Sequence, residues 1–436
     1  MTHIMIVGGG VAGLTAALAL HAAGFARITV VEAAREIRPV GAGLNLMPNA
    51  VRELDALGVL GAVERGAVRT RELRYYHRSG SLISRDPRGL RAGYLWPQLS
   101  VHRGELQRVL AEAVRARLGP SALLTGVRVT GVEPLPDGMP ERRPRVTLEY
   151  RDGARRGSAS LEPDLLIGAD GIRSAVRAAL NPGEGAPPWN GAVVWRGVSR
   201  MPAERAGTFM FIAGDDTHKA VVYPLTEPGT EGTVQVNWAL LGPGSAAHDA
   251  EDGAYRGDWN RVVDVGDFAH RFAGWEFGGV RVAEVLAAAE AAYEYPMVDR
   301  EPLASWTRGR TTLIGDAAHA MYPVGSNGAT QSVVDGRALA HALATHRDPV
   351  AALAAYEADR RPVTTALQRA NRRQGPEVVI NLAHERAPGG FRDVDTVIPP
   401  SERAAIAARY AAQGAFDRET VNAGSPYGVP ARGRAR

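Results

Sequence analysis

The 436-residue sequence contains no cysteine, which excludes disulfides, thiolate metal sites and thiol nucleophiles. It has no uninterrupted apolar run long enough to span a bilayer, and its apolar N-terminus lacks the basic segment of a signal peptide. It also has no cluster of residues spaced as metal ligands. We therefore expect a cytosolic protein with no membrane span and no bound metal.

The sequence likewise has no long basic run interleaved with aromatic residues. Its net charge is only +4, although the sequence pI is about 9.5. Nucleic acid is therefore not an expected partner. The one basic cluster is the terminal ARGRAR, which we assign to a flexible basic tail at 426–436.

The residues that are present indicate an ordinary globular protein, with 45% apolar and 22% charged residues. Near the N-terminus the pattern predicts a strand at 4–7, a helix at 11–23 and a strand at 28–32. Such alternation favours a mainly parallel sheet covered by helices. From about residue 181, short β-rich runs separated by Gly, Pro and Asp instead favour an antiparallel sheet, and a hairpin at 71–86 can join it.

The predicted fold class is therefore α/β, with a doubly wound nucleotide-binding domain, an inserted and mainly antiparallel β-sheet domain, and C-terminal helices. The expected bounds are 1–70, 100–180 and 296–345 for the first domain, 71–99 and 181–295 for the second, and 346–425 for the helical region.

The first motif is a glycine turn between the first strand and the first helix. Gly8, Gly10 and Gly13 have the G-x-G-x-x-G spacing, which permits a tight turn, close approach to a pyrophosphate and close helix–sheet packing. Glu32 ends the second strand and can accept hydrogen bonds from a ribose. The turn predicts a bound dinucleotide, and NAD and FAD both remain open.

A second motif is the Gly-Asp turn in IGDAAHAMYPVG, near residue 316. Asp316 would end a strand and accept hydrogen bonds from a polyol, and a helix from about Gly328 would direct its N–H groups at a ring system. The alternative is that Asp316 only caps a helix. His319 in this segment is either a proton shuttle or, as we favour, a packing residue.

A third motif, DLLIGADGIRSAVR, supplies Asp170, Gly171, Arg173 and Ser174 after another apolar strand. With the three motifs in this order, the chain resembles the class A FAD-dependent aromatic monooxygenases of the para-hydroxybenzoate hydroxylase type. The resemblance covers about residues 1–345. It implies a Rossmann-like FAD-binding domain with a glutathione-reductase-like doubly wound sheet.

One departure from the family pattern narrows the resemblance. Many members have a Gly-Gln-Gly loop after the Gly-Asp motif, whereas this chain has MYPVGSNGATQSVVDG. That loop, with the segments WRGV, VNW and NRRQGPEVVINLAHERAPGGF, is similar to the phenazine-carboxylate monooxygenase branch.

The resemblance also implies which residues contact FAD. Arg103 in VHRGELQ would lie near the pyrophosphate and flavin with Leu106 buried behind it, Val129 would touch the adenine, and Asn45 would lie near the flavin. The full set of implied cofactor residues is Gly8, Gly10, Val11, Ala12, Gly13, Glu32, Ala33, Gly43, Arg103, Val129, Asp170, Gly315, Asp316, Pro323, Gly325, Gly328 and Ala329.

The chemistry implied by the resemblance is hydroxylation of an aromatic or heteroaromatic small molecule of the phenazine, phenol or polyketide type. NADH or NADPH would reduce FAD, O2 would form a C4a-hydroperoxide on the flavin, and oxygen transfer would proceed with or without loss of a ring carboxylate. The absence of a second G-x-G-x-x-G fits a reductant that binds transiently, or reduction by a separate partner.

The alternatives are an oxidase or reductase of the same fold, without oxygen insertion, and a non-catalytic FAD-binding protein. Monomer and homodimer are both open.

The substrate would lie between the flavin and the inserted sheet. No acid–base residue is assigned, because the flavin carries the chemistry. The candidate pocket residues are Trp195, Arg196, Met210, Tyr223, Gln235, Asn237, Trp238, Tyr322 and Pro323. Alternating aromatic residues on strands more often form a core than a pocket, so we expect only part of this set to contact substrate.

Overall fold

The structure is a computed structural model that describes residues 2–38, 41–133, 141–152, 155–244 and 261–429. The first predicted elements agree with it to within one residue at each end. The strands are β1 (His3–Val7), β2 (Arg27–Glu32), β3 (Gly43–Leu46), β4 (Ala67–Thr70), β5 (Glu72–His77), β6 (Leu82–Pro87), β7 (Gln98–His102), β8 (Leu123–Thr125), β9 (Val127–Val132), β10 (Val146–Asp152), β11 (Arg155–Leu161), β12 (Leu165–Gly168), β13 (Trp189–Pro202), β14 (Met210–Gly214), β15 (Lys219–Pro224), β16 (Thr233–Pro243), β17 (Arg261–Val263), β18 (Glu276–Phe277), β19 (Val280–Arg281), β20 (Ala289–Val298) and β21 (Thr311–Leu313).

The helices of the described residues divide between short connections and a long C-terminal series. They are α1 (Val11–Ala22), α2 (Pro48–Ala56), α3 (Leu60–Glu64), α4 (Arg103–Leu118), α5 (Ala175–Leu180), α6 (Ala203–Ala206), α7 (Gly266–Ala269), α8 (Val282–Ala287), α9 (Asp316–His319), α10 (Gly328–Thr345), α11 (Pro349–Arg372), α12 (Val378–Arg386), α13 (Pro400–Gln413) and α14 (Arg418–Asn422). None of them combines the length and the apolar character that crossing a membrane requires.

A five-stranded parallel sheet in the order β21-β12-β1-β2-β8 forms the first layer. β1 and β12 are almost continuously apolar and buried, as expected for parallel strands that are covered on both faces. α1 packs against α4 and α10, and its side chains join the sheet in one large core. Because parallel strands end at the same edge, the turns after β1, β12 and β21 come together there.

The second layer is an eight-stranded sheet in the order β17-β20-β13-β16-β15-β14-β5-β6. Its neighbouring strands are antiparallel except for β14 and β5, which run parallel. The predicted fold class is confirmed, including the hairpin of β5 and β6. The structure also has three-stranded sheets β3-β7-β4 and β11-β10-β9. The β-sheet segment predicted at 71–99 extends too far, because the residues from Gln98 onward belong to β7, which pairs with β3 and β4.

The two faces of the eight-stranded sheet have different partners. One face forms an aromatic core, which includes Trp195, Phe211, Trp238, Phe268 and Phe272. The other face turns toward the parallel sheet, and α12 covers part of it with Val379, Ile380 and Ala383. The cavity described below lies on this second face.

The C-terminal residues return to the first domain. Arg52 donates hydrogen bonds to the carbonyl groups of Val421 and Gly424, at 3.0 and 2.8 Å. The Arg337 guanidinium donates to the Tyr427 carbonyl at 2.9 Å, and the Tyr427 hydroxyl donates to Asp359 at 2.8 Å. The flexible tail predicted at 426–436 therefore starts too early, because 426–429 are held against α10 and α11. Its basic cluster lies outside the described residues.

Candidate active site

The glycine turn after β1 is shaped by three different steric demands. Gly8 has φ +109°, and a Cβ there would lie 2.3 Å from the Ala169 carbonyl oxygen. A Cβ on Gly13 would lie 2.0 Å from the Gly8 carbonyl oxygen, so this glycine lets α1 pack on β1. A Cβ on Gly10 would meet no atom within 4 Å, because Gly10 borders open space at the N-terminus of α1. That space and the N–H groups of the helix suit a pyrophosphate.

Side chains hold the turn from two sides. Glu32, at the end of β2, accepts hydrogen bonds of 2.7 Å from the N–H groups of Gly9 and Ala34. Gln107 on α4 donates a hydrogen bond of 2.7 Å to the Gly9 carbonyl. Arg103, the first residue of α4, is exposed, while Leu106 is fully buried. These hydrogen bonds hold the turn against β2 and α4.

The Asp-Gly motif follows β12 at the same sheet edge. The Asp170 carboxylate accepts hydrogen bonds from the Ser174 hydroxyl and, at 2.7 Å, from the Ala175 N–H. Burial raises the pKa of Asp170. The Ser174 hydroxyl in turn accepts the Arg177 N–H at 2.9 Å. These bonds organise the first turn of α5.

Arg177, which the sequence did not indicate, joins the second and third motifs. Its side chain is almost fully buried and donates to the carbonyl groups of Ala317 and Ala318 at 3.0 and 2.9 Å. It also forms an ion pair with Glu184. Arg177 therefore connects the turns after β12 and β21.

In the Gly-Asp motif, a Cβ on Gly315 would lie 2.7 Å from the Cβ of Ala12, so the turn packs directly on α1. Asp316 begins α9 and is exposed, and its carboxylate has no hydrogen-bond partner among the described residues. The alternative that Asp316 caps this helix through its side chain is thus wrong. The carboxylate is available to a ligand.

His319 is fully buried and lies 2.6 Å from the Asp335 carboxylate through its Nε2. Asp335 also accepts the Gly315 N–H at 2.9 Å and the Arg360 Nε–H at 3.0 Å. His319 does not line the cavity. The packing role that we favoured for it agrees with this position.

The loop before α10 is held by amides and a tyrosine from the C-terminal helices. Asn371 on α11 donates to the carbonyl groups of Tyr322 and Val324 at 3.0 and 3.1 Å. The Tyr410 hydroxyl on α13 donates to the Asn371 side-chain oxygen at 2.7 Å and accepts from the Asn327 amide at 3.0 Å. Ser326 between them has φ +60°, a conformation that favours glycine.

These elements enclose a cavity of about 660 Å³, which we call the main cavity. It runs from the glycine turn to the inner face of the eight-stranded sheet. Every implied cofactor residue except Gly13 and Gly315 lines it, and those two support the lining by close backbone packing. A smaller cavity of about 230 Å³ adjoins it, and the residues that line both are Val194, Arg196, Met297, Asp316, Met321 and Pro323.

Five of the predicted pocket residues line the main cavity: Arg196, Met210, Tyr223, Asn237 and Pro323. Asn237 accepts the Gly43 N–H at 2.6 Å, and its amide nitrogen has no partner among the described residues. Arg196 donates to the Gly43 carbonyl at 3.2 Å. Burial raises the pKa of Tyr223 to about 12, so its phenol stays neutral and can donate a hydrogen bond.

Trp195 and Trp238 do not line the cavity, and interpreting them as pocket walls is wrong. Successive residues on a strand face opposite sides of a sheet, and Arg196 and Asn237 already face the cavity. Trp195 instead stacks on Phe268 with ring centroids 4.9 Å apart, and Trp238 is fully buried in the same aromatic core.

Gln235 and Tyr322 also lie outside the cavity lining. Gln235 shares the facing direction of Asn237 but lies farther along β16, where its backbone N–H bonds to Thr226 at 2.9 Å. Tyr322 is half-buried beside the loop before α10, and burial raises its pKa to about 12.

Several lining residues had no signal in the sequence. On the sheet they are Val194, Ile212, Lys219, Val221, Ala239, Leu241 and Met297. Residues two apart on a strand share a face, so the sequence could have predicted them only if one cavity-facing residue of each strand had been known. Gln374 and Glu377 come from the turn after α11 and reach the cavity through tertiary packing alone.

The chain is similar to known proteins in both sequence and fold. Residues 1–271 and 286–371 match the sequence model of a family described as FAD binding domain. The chain is 42% identical over 373 residues to phenazine 1,6-dicarboxylic acid hydroxylase PhzS of Lysobacter antibioticus, covering 85% of this chain and 89% of that protein. It is 34% identical over 392 residues to 3-amino-4-hydroxybenzoate 2-monooxygenase PtmB3 of Streptomyces platensis, covering 86% and 90%.

Among solved structures, a salicylate hydroxylase substrate complex superimposes with a TM-score of 0.71 at 22% identity, covering 99% of each chain. This likeness concerns the fold. The predicted family and cofactor are confirmed by the family match and by the relatives. The chain belongs to the FAD binding domain family and is an FAD-dependent monooxygenase of the aromatic hydroxylase type.

Proposed function

We propose that the protein hydroxylates a planar heteroaromatic carboxylate of the phenazine type, with NADH or NADPH as reductant and O2 as oxidant, with or without loss of the carboxylate. The observation that carries this proposal is the main cavity, which joins the three cofactor motifs to one face of the eight-stranded sheet. The relative that is 42% identical acts, by its name, on a phenazine dicarboxylic acid. The cytosolic location expected from the sequence is part of the proposal.

FAD, when bound, would supply the redox chemistry that activates O2 for transfer to a ring. The space beside Gly10 and the N-terminus of α1 would receive its pyrophosphate, with Arg103 as a nearby cation. Asp316 would accept hydrogen bonds from the polyol chain. The N–H groups at the start of α10 would favour negative charge on the ring system, because a helix N-terminus is partly positive.

The sheet face would position the substrate and keep water out. Ile212, Val221, Ala239 and Leu241 form an apolar floor across three neighbouring strands. An apolar floor with few polar groups suits a planar aromatic ligand, and the polar groups set its orientation. A dry cavity also strengthens the electrostatic contribution of each polar group.

The test uses the purified protein with FAD and either nicotinamide cofactor. Phenazine carboxylates, phenols and polyketide aromatics are added one at a time under isotopically labelled O2. We expect a phenazine carboxylate to accelerate NAD(P)H oxidation and to yield a product that carries one labelled oxygen atom, with or without loss of CO2. Turnover without oxygen incorporation would instead identify an oxidase or reductase. Absence of turnover with every donor would favour a binding protein.

The cofactor placement is tested separately with Asp316→Asn. Because this carboxylate bonds to no described residue, the variant should keep the thermal midpoint of the apoprotein and lose most of its bound flavin. The readout is flavin absorbance after gel filtration. Full flavin occupancy in the variant would contradict the assignment of Asp316.

A further inference from the structure

Lys219 is the only lysine among the 51 lysine and arginine residues of the chain. It is the first residue of β15, its exposed fraction is 3%, and it lines the main cavity. A buried ammonium is costly unless it is paired and hydrogen-bonded. An ammonium is also more compact than a guanidinium, so a tight corner can select lysine in a chain that otherwise uses arginine.

The described neighbours of Lys219 give its ammonium one short hydrogen bond and one longer ion pair. On the same sheet face, the residue paired with it on β16 is Leu241, and Val221 follows it on β15. The ammonium donates to the Gln374 side-chain oxygen at 2.5 Å. The nearest Glu377 oxygen is 3.5 Å away, beyond the roughly 2.7–2.9 Å of a charge-assisted hydrogen bond. An ammonium has three N–H donors, and only the bond to Gln374 is short among the described residues.

Gln374 is itself held in an unusual conformation. Its φ is +68°, in the left-handed region that residues other than glycine rarely adopt. This backbone conformation lets the Gln374 side chain reach Lys219, which lies 155 residues earlier in the chain. Because the amide oxygen accepts from Lys219, the amide nitrogen remains as a second donor in the same corner.

The charges that line the sheet end of the cavity do not cancel, and the buried Asp215, which lies near Lys219 but outside the lining, is paired with Arg78 at 2.8 Å. The charged side chains contributed by the sheet and by the turn after α11 are Arg196, Lys219 and Glu377. Their sum is one positive charge, whether the Lys219–Glu377 pair is ionised or has exchanged its proton. Burial lowers the pKa of Lys219 and raises the pKa of Glu377, so each needs a partner to stay charged.

We propose that Lys219 and Gln374 form the corner that binds the carboxylate of the aromatic substrate, with the ring lying over the apolar floor. A monoanion balances the single positive charge and gives the ammonium a second strong acceptor. Arg196 is the competing cation in the lining: its guanidinium donates to the Gly43 carbonyl at 3.2 Å, but its Nε–H has no partner among the described residues, so the variants below must distinguish it from Lys219. This inference rests on the proposed function and adds the residues that select the substrate class.

The test compares matched ligands that differ only in charge: phenazine-1-carboxylate with its carboxamide, and 3-amino-4-hydroxybenzoate with its amide. Binding to the FAD-loaded protein is measured by calorimetry without reductant, so that no turnover occurs. We expect at least one carboxylate to bind about tenfold to a hundredfold tighter than its amide, as for a buried hydrogen bond to a charged group. If neither carboxylate binds tighter than its amide, the proposal fails.

The variants locate the corner. Lys219→Met should remove the preference for the carboxylate and change the binding of the amide by less than about threefold, since only the charged group loses its partner. Gln374→Leu should reduce the preference in part. The control is Arg200→Met, which removes an exposed cation from the same sheet outside the cavity and should keep the preference.

Two results would overturn the proposal after a preference has been found. One is a preference kept in Lys219→Met and lost in Arg196→Met, which would move the carboxylate to Arg196. The other is an equal loss of affinity for the carboxylate and its amide in Lys219→Met. That result would mean that Lys219 only connects the sheet to the turn after α11. Oxygen incorporation is measured separately: a protein that prefers carboxylates but inserts no oxygen refutes the proposed function and not this inference.

Discussion

The side chain of Asn237 accepts a hydrogen bond of 2.6 Å from the backbone N–H of Gly43, which lies 194 residues earlier in the chain. The Arg196 guanidinium donates to the carbonyl of the same glycine at 3.2 Å. A Cβ on Gly43 would lie 2.6 Å from Leu225 and 2.9 Å from the Asn237 Cβ, so only glycine permits this approach. Two polar side chains of the eight-stranded sheet therefore fix the start of β3. The contact between this sheet and the β3-β7-β4 sheet is part of the cavity wall.

Asn237→Ala should lower the free energy of unfolding by about 1–3 kcal/mol, because the buried Gly43 N–H loses its acceptor. Flavin retention should fall as well, since β3 lines the main cavity. Chemical denaturation and flavin absorbance measure the two effects. Thr233→Ala, on the same strand but outside the cavity lining, is the control. Equal stability of both variants would show that the Gly43 bond contributes nothing.

Gly10→Ala should lose FAD affinity, whereas Gly13→Ala should lose stability. The new methyl group of Gly10→Ala meets no atom within 4 Å, so the apoprotein should keep its thermal midpoint while the space for the pyrophosphate is lost. The methyl group of Gly13→Ala would lie 2.0 Å from the Gly8 carbonyl oxygen, so that variant should destabilise the fold itself. Thermal unfolding without flavin, followed by an FAD titration, separates the two cases. A Gly10→Ala variant with wild-type FAD affinity would mean that the pyrophosphate lies elsewhere.

Ionisation of Asp335 should make the free energy of unfolding depend on pH in the acidic range. Burial alone raises the pKa of Asp335, but the attraction of His319 and Arg360 and the Gly315 N–H outweigh it and hold the pKa below its usual value. The stability from the ionised carboxylate is thus present above the unfolded pKa of about 3.9, and it is lost as the pH falls through the lower folded pKa.

Asp335→Asn should therefore cost about 3–5 kcal/mol near neutral pH, because Arg360 is left buried without its partner. The difference from wild type should shrink as the pH falls below about 4. Urea unfolding at a series of pH values measures it. Asp267→Asn, at an exposed carboxylate, serves as the reference. A constant difference at all pH values would mean that the carboxylate charge is not the cause.

Tyr410→Phe should loosen the loop before α10 without disturbing α13. The hydroxyl bonds to Asn371 and Asn327, and its loss leaves the buried side-chain oxygen of Asn371 without this donor, at a cost of about 1–3 kcal/mol. We expect faster amide exchange at 322–328 and weaker FAD binding. Tyr427→Phe also loses one hydroxyl bond, to Asp359, but lies away from the loop, so it should leave both quantities unchanged. Unchanged exchange in Tyr410→Phe would show that the loop is held by other contacts.

The glycine turn was predictable because its requirements are local. A tight turn between a strand and a helix needs glycine at fixed spacing, and Gly8, Gly10 and Gly13 meet that need within a few residues. The lining of the cavity on the eight-stranded sheet was only partly predictable. Trp195 and Arg196 are adjacent on β13 and cannot face the same side of a sheet, yet nothing in the sequence says which side faces the cavity.

By itself, the sequence determined the dinucleotide turn, the order of the three motifs and the strand-rich insertion, because these depend on backbone sterics and on periodicity within short segments. Tertiary structure alone decided that Lys219 meets Gln374 and Glu377, that Asn237 holds Gly43, and that Tyr410 fixes the loop at Asn327. Such contacts join segments far apart in the chain, and their geometry exists only once the two sheets and the C-terminal helices have packed together.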